Sequence, residues 1–286
     1  MLNKKVITVT TINGKPVKRG EDKISVFDNA FLYAEGLFET LLVVDKKIFF
    51  INEHINRLFK GARVLGLTVP VDKNNLARWM KKTINAHPGR IIQLRLTLTS
   101  GESARWVGVP GEPQVILSAA PYNKPMRPFK LFVSDFKVDQ KSVFRRIKTL
   151  SYAIHAVALR QAKEKKCDDA LLLNEKNQIA EVTSANIFWA KNNHIYTPPI
   201  SAGCLEGITR KAVIKKVKQL GYKISEKNSS LENLLKADEL FITSSLKLVV
   251  GVSKIQTKQK SYKFNTGSFT NILSEHFNKL TKTFSE

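Results

Sequence analysis

Between Arg146 and Arg210 the chain sets out, in order, an amine, a carboxylate and a turn suited to an anion. Lys148 precedes a helix-like run. Glu181 leads the polar stretch Val182-Thr183-Ser184-Ala185-Asn186. Thr197-Pro198-Pro199 then leads to Gly207-Ile208-Thr209-Arg210, which opens another helix. A lysine amine held out of water loses basicity, and it can then hold an aldehyde as a Schiff base and pass protons. A carboxylate can keep a ring nitrogen protonated, so that the ring draws electrons. A glycine-led helix N-terminus offers unpaired N–H groups and a favourable dipole to a phosphate. In so basic a chain a single lysine is ordinarily a solvated charge, and a single glutamate an exposed strand residue. The weight lies in the ordered set.

The elements that must carry these groups are legible from periodicity. Asn13-Gly14 between apolar runs marks a hairpin within residues 6–18. Residues 38–51 are β-rich and broken at Asp45-Lys46-Lys47, a second hairpin. Ile55, Leu58, Phe59, Ala62 and Leu65 recur at helical spacing over 52–66, and a further helix follows over 74–86. Strands begin at Gln93 and Val115. Pro121 to Pro128 breaks both helix and strand and reads as a linker. Beyond it come a strand at 129–138, a helix at 151–166, a strand series over 169–196 and a helix at 208–220. A strand near 222–226, a short helix near 230–236, a strand at 239–243 and a helix near 268–281 complete the pattern. The run Lys254 to Lys263 reads as a basic loop or a solvated face.

The 286 residues suffice for one large domain or two moderate ones, and 43% hydrophobic with 25% charged residues is ordinary for a globular protein. No stretch has the apolar length of a membrane span, and the basic start of the chain lacks the apolar core of a signal peptide. Cys167 and Cys204 stand far apart and form neither a disulfide framework nor a metal spacing, which suits a reducing cytoplasm. The net charge of +23 raises nucleic-acid binding as a second class of function. The basic residues are spread along the chain, however, and no nucleic-acid-binding signature accompanies them.

The order of Lys148, Glu181 with Asn186, Thr197-Pro198 and Gly207-Ile208-Thr209-Arg210 resembles the class IV aminotransferases. These are fold type IV enzymes that use pyridoxal 5'-phosphate (PLP), and they include branched-chain aminotransferases, D-amino-acid aminotransferases and aminodeoxychorismate lyases. The resemblance covers nearly the whole chain. It implies an α+β protein with a small N-terminal α+β domain (1–120), a linker (121–128) and a larger, barrel-like α+β domain that binds PLP (129–286). It also implies a homodimer that moves an amino group from a small branched-chain L- or D-amino acid to a 2-oxo acid.

Carried over residue by residue, Lys148 in Lys148-Thr149-Leu150-Ser151-Tyr152 is the implied Schiff-base lysine, and Tyr152 lies near the cofactor's phenolic oxygen. Glu181 pairs with the pyridine nitrogen, with Thr183 and Ser184 beside the cofactor. Arg57, in Glu53-His54-Ile55-Asn56-Arg57-Leu58, binds the phosphate with Ile208, Thr209 and Ser245, and a guanidinium fork suits that group. His54 is taken as structural. Tyr33, Phe38 and Thr40, in the stretch Tyr33 to Thr40, line the substrate pocket, and Arg105 grips the substrate carboxylate. Ala34-Glu35 stands where the family has Gly-Asp, and Val107 where D-amino-acid enzymes have histidine. Ser245-Leu246-Lys247 departs from the transaminase Thr-x-x-Glu pattern and leans toward the lyases, as does Ala185-Asn186-Ile187-Phe188-Trp189. Aminodeoxychorismate lyase, which forms 4-aminobenzoate and pyruvate, is therefore the alternative activity.

Overall fold

The structure is a computed structural model and describes residues 7–103, 108–109 and 111–283. The chain divides into two compact units. One gathers Met1–Asn123, Ile147–Ser151 and Thr281–Glu286, and the other Lys124–Arg146 and Tyr152–Leu280.

In chain order the first unit holds β1 (Val9–Ile12), β2 (Lys15–Val17), α1 (Asn29–Tyr33), β3 (Gly36–Val44), β4 (Lys47–Ile48), α2 (Ile51–Leu65), α3 (Lys73–Ala86), β5 (Ile91–Thr99) and β6 (Val115–Pro121). Its six strands form one antiparallel sheet in the order β2-β1-β6-β5-β3-β4. The β1–β2 turn uses Asn13 and Gly14, both at positive φ, as the Asn-Gly pair predicts. Alternation turns Leu37, Leu41 and Val43 of β3 and Leu94, Leu96 and Leu98 of β5 into one core. Ile55, Leu58 and Ala62 of α2 and Leu76, Met80 and Ile84 of α3 fill it from the helices. The helical spacing read from sequence is thus the spacing of the buried face.

The segment around Lys148 follows the linker in sequence, which predicts a place in the C-terminal domain, but it packs with the first unit. Lys148 O accepts from Phe38 N–H at 2.9 Å, Leu150 N–H donates to Gly36 O at 2.9 Å, and Ile147 joins the core. The backbone pairing that extends β3 outweighs the segment's place in the chain.

The second unit holds β7 (Phe129–Val138), α4 (Ala153–Glu164), β8 (Asp169–Asn174), β9 (Ile179–Val182), β10 (Asn186–Lys191), β11 (His194–Thr197), α5 (Ile208–Gln219), β12 (Lys223–Glu226), α6 (Leu231–Leu235), β13 (Glu239–Ser244), β14 (Leu248–Gln256), β15 (Ser261–Lys263) and α7 (Ser268–Thr283). The strand order is β12-β11-β10-β13-β14-β7-β8-β9, with β15 paired to β14. β7 and β8 are parallel, with α4 between them in the chain. β8 is buried along its whole length, with Leu171 and Leu173 in one apolar cluster and Ala170 and Leu172 in another.

The basic run from Lys254 is not a loop: Lys254, Ile255 and Gln256 end β14, and Ser261–Lys263 is β15. Ile255 and Val252 are fully buried, and this apolar face holds the strand despite the flanking lysines.

Candidate active site

Each unit carries part of the predicted set. In the second unit Glu181 lies in β9 with its carboxylate buried. Arg145, in the 3-10 turn Val143–Arg146, donates to Oε1 through Nη2. Leu205 N–H donates to Oε2 at 2.9 Å. His155 of α4 brings Nε2 to 3.4 Å from Oε1 and to 3.1 Å from Arg145 Nη1. Arg145 is itself anchored through Nε on Gly203 O at 2.9 Å. Burial pushes the Glu181 carboxyl upward, but the His155 contact, the Arg145 charge and the Leu205 N–H outweigh it and hold the group below its ordinary value. The result is a buried carboxylate kept ionised, with acceptor capacity left on Oε2.

Tyr152 stacks on His155, ring centroids 4.2 Å apart, and its hydroxyl donates to Thr183 O. The Thr183 and Ser184 hydroxyls both donate to the Asp169 carboxylate. Lys247 Nζ donates to Ser184 Oγ at 2.8 Å. Burial lowers the basicity of that amine, with the Asp169 charge opposing. Thr183 and Ser184 thus fasten the turn after Glu181 to the start of β8.

Gly207 caps α5 with no side-chain hydrogen bond, so the first N–H groups of that helix lack a side-chain cap. A Cβ on Gly207 would sit 2.0 Å from Asn186 Oδ1, and Asn186 Nδ2 donates to Leu205 O at 2.8 Å. The Glu-x-x-x-x-Asn spacing therefore places an amide under the glycine turn. Thr209 Oγ1 and Thr243 Oγ1 are buried with no hydrogen-bond partner among the described residues. Two orphaned hydroxyls and a helix N-terminus fit a phosphate, because an unpaired buried hydroxyl is costly unless something bonds to it. Ile208 is buried at the first helical position, and Ser245 is half-buried in the turn after β13.

In the first unit the Lys148 amine lies over the Phe38 ring, 4.2 Å from its centroid. Arg95 lies 4.1 Å from the same centroid. Phe38 and Thr40 share one face of β3, opposite Thr97 and Arg95 of β5. Arg57 projects from α2 and binds Glu39 of β3 through Nε and Nη2, at 2.7 and 2.6 Å. His54 Nδ1 lies 2.6 Å from Glu39 Oε2. Tyr33 ends α1 and is exposed. Arg105 lies outside the described residues, as does Val107.

Sequence reading missed Arg145, His155, Glu39, Arg95, Asp169 and Thr243 as neighbours of the predicted set. Glu39 alone left a signal, a carboxylate interrupting the apolar positions Leu37, Leu41 and Val43. Nothing local marks the others.

The chain belongs to the class IV aminotransferase family: the family described as Amino-transferase class IV matches residues 36–255. A protein of Methanocaldococcus jannaschii, assigned as a branched-chain-amino-acid aminotransferase, is 33% identical over 93% of this chain and 94% of its own length. D-alanine aminotransferase of Bacillus licheniformis is 30% identical over 85% of this chain and 87% of its own. Aminodeoxychorismate lyase of Bacillus subtilis is 26% identical over 95% and 94%. The fold is that of the branched-chain aminotransferase of Thermoproteus uzoniensis, with TM-score 0.91 over 97% of this chain and 96% of that one, at 24% identity. The T.th. branched-chain amino acid aminotransferase, solved with N-(5'-phosphopyridoxyl)-L-glutamate, gives 0.88 at 25% identity, over 96% of this chain and 94% of that one. Class IV aminotransferases use PLP. The ionised Glu181, the uncapped start of α5 and the Thr209 and Thr243 hydroxyls fit that cofactor's pyridinium and phosphate. Among the described residues no helix is long and apolar enough to cross a membrane.

Proposed function

We propose that this protein binds PLP and transfers an amino group from a small amino acid, a branched-chain L- or a D-amino acid, to a 2-oxo acid. The observation that carries the reading is the buried Glu181 carboxylate, kept ionised by Arg145 and Leu205 N–H beside the turn that leads to α5. PLP, when bound, supplies an aldehyde for a lysine amine and a pyridinium ring that withdraws electrons from the substrate Cα. Glu181 holds the proton on that ring nitrogen, and Arg145 keeps Glu181 from taking the proton itself. Thr209, the N–H groups of Ile208 and Thr209, Ser245 and Arg57 bind the phosphate. Lys148 holds the cofactor and moves the Cα proton. Tyr152, Thr183 and Ser184 fix the wall of the site through the Thr183 carbonyl and Asp169. Phe38, Thr40 and Tyr33 line the substrate side, and Arg105 takes the substrate carboxylate.

The protein works as a homodimer in the cytoplasm. Val26, Phe27 and Phe31 are each at least 60% exposed in the first unit, and beside them Leu32 and Tyr33 are also exposed. An apolar patch of that kind is normally covered. Light scattering during size exclusion reads the mass directly. The basic surface draws anionic substrates.

Aminodeoxychorismate lyase activity is the second reading, favoured by Ala185-Asn186-Ile187-Phe188-Trp189 and by Ser245-Leu246-Lys247-Leu248, which lacks the glutamate of the transaminase Thr-x-x-Glu pattern. One experiment separates the two. Protein supplied with PLP is offered branched-chain L-amino acids, D-alanine and D-glutamate with 2-oxoglutarate or pyruvate, and separately aminodeoxychorismate. Amino transfer supports the first reading, and release of pyruvate with 4-aminobenzoate the second. Neither product would overturn both.

A further inference from the structure

We propose that Glu39 and His54 are positioning residues that set the plane of the Arg57 guanidinium for the cofactor phosphate. The proposal rests on the reading of Arg57 as a phosphate ligand. Glu39 sits in β3 between Leu37 and Leu41, at core-facing positions, and is 1% exposed. A carboxylate there is costly to desolvate, and an apolar residue of similar size at such a position is commonly as stable or more so. Stability alone therefore does not account for the charge.

The geometry shows what the charge does. Nε and Nη2 of Arg57 meet the two oxygens of Glu39 at 2.7 and 2.6 Å. Two parallel bonds between planar groups fix both the direction and the plane of the guanidinium. His54 comes from the same face of α2, three residues before Arg57, and brings Nδ1 to 2.6 Å from Oε2. An ionised carboxylate only accepts, so Nδ1 carries the proton and donates it. The imidazole is fully buried and fixes the carboxylate from the second element. β3 and α2 thus hold one carboxylate from two sides, and the carboxylate holds the arginine. An unrestrained arginine loses rotamer freedom when it binds an anion, and one already fixed avoids most of that loss.

The test compares binding of PLP with binding of pyridoxal, which has the same ring and aldehyde but no phosphate, by equilibrium dialysis. The wild-type protein should prefer PLP. In Glu39→Gln the PLP dissociation constant should rise about tenfold or more, the loss of one charge-assisted hydrogen bond, while pyridoxal binding changes less than about twofold. Glu39→Asp keeps the buried charge and moves its oxygens back by one methylene. It should weaken PLP selectively while the far-UV spectrum stays that of wild type, so the proposal stands or falls even where Glu39→Gln does not fold. Adding Glu39→Gln to Arg57→Ala should cost nothing further in PLP binding. Equal weakening of PLP and pyridoxal, or wild-type PLP binding by Glu39→Asp, would overturn the proposal while leaving the PLP reading in place. A wild-type protein that does not prefer PLP over pyridoxal would overturn that reading too.

Discussion

Acid should unfold the first unit through Glu39. Burial raises this carboxyl, but the Arg57 and His54 charges and their hydrogen bonds more than offset it, and the group falls from 4.5 to about 2. The unfolded chain takes up the proton near 4.5 and the folded chain only near 2, so between those values the unfolded state binds more protons. Stability from this group is therefore fully present above pH 4.5 and is lost as pH falls through 2. The gap of about 2.5 corresponds to roughly 3 kcal/mol in all, of which about 2 is gone by pH 3. The assay is urea unfolding at pH 6, 5, 4 and 3, read from Trp79 of α3 in a Trp106→Phe/Trp189→Phe background. Glu39→Gln should be weaker than wild type at pH 6 by about 2–4 kcal/mol, because Arg57 loses the opposite charge and one of the two Glu39 acceptors, while 13% exposure lets water reach it. The two proteins should converge as pH falls toward 3. Burial and the Arg57 and Lys148 charges hold His54 below its ordinary value despite Glu39, so it adds a slope of the same sign that begins below pH 6.5. Repeating the series in a His54→Gln background removes that slope. Parallel curves for wild type and Glu39→Gln down to pH 3 would refute the reasoning.

Three further outcomes are expected. Borohydride reduction of the protein in the presence of PLP, followed by peptide mapping, should place the pyridoxyl label on Lys148, and a label confined to another lysine would remove that residue's role. Glu181→Gln should retain PLP but lose turnover by roughly two to three orders of magnitude, because a neutral amide no longer holds the ring proton. Near-normal kcat would sink the assignment. Gly207→Ala pushes a methyl group into Asn186 Oδ1, a clash costing about 1–3 kcal/mol. PLP binding should weaken about tenfold with the melting temperature moved by only a few degrees, and unchanged PLP titration would show that this turn does not touch the phosphate.

Periodicity in the sequence is enough for most elements. The Asn13-Gly14 hairpin, α2, α3, β7, α5 and β13 lie where apolar spacing and turn residues put them, because local sterics and one buried face decide those elements. β14 and β15 escape that reading, since the lysines of the run mask the buried positions Val252 and Ile255. Arg105 is named by its sequence context alone.

The order of amine, carboxylate and glycine turn is a property of the chain, and it alone determined the family and the chemistry this protein is suited to. Tertiary structure decided who holds those groups. Arg145 meets Glu181 across 36 residues, Glu39 meets Arg57 across 18, and Asp169 meets Thr183 and Ser184 across 14 and 15. A repeat of two or 3.6 residues reports which face of an element is buried and is blind to what lies opposite. That neighbour is set by the register of β3 against α2 and of β8 against β9, and those contacts come into being only when the sheets form.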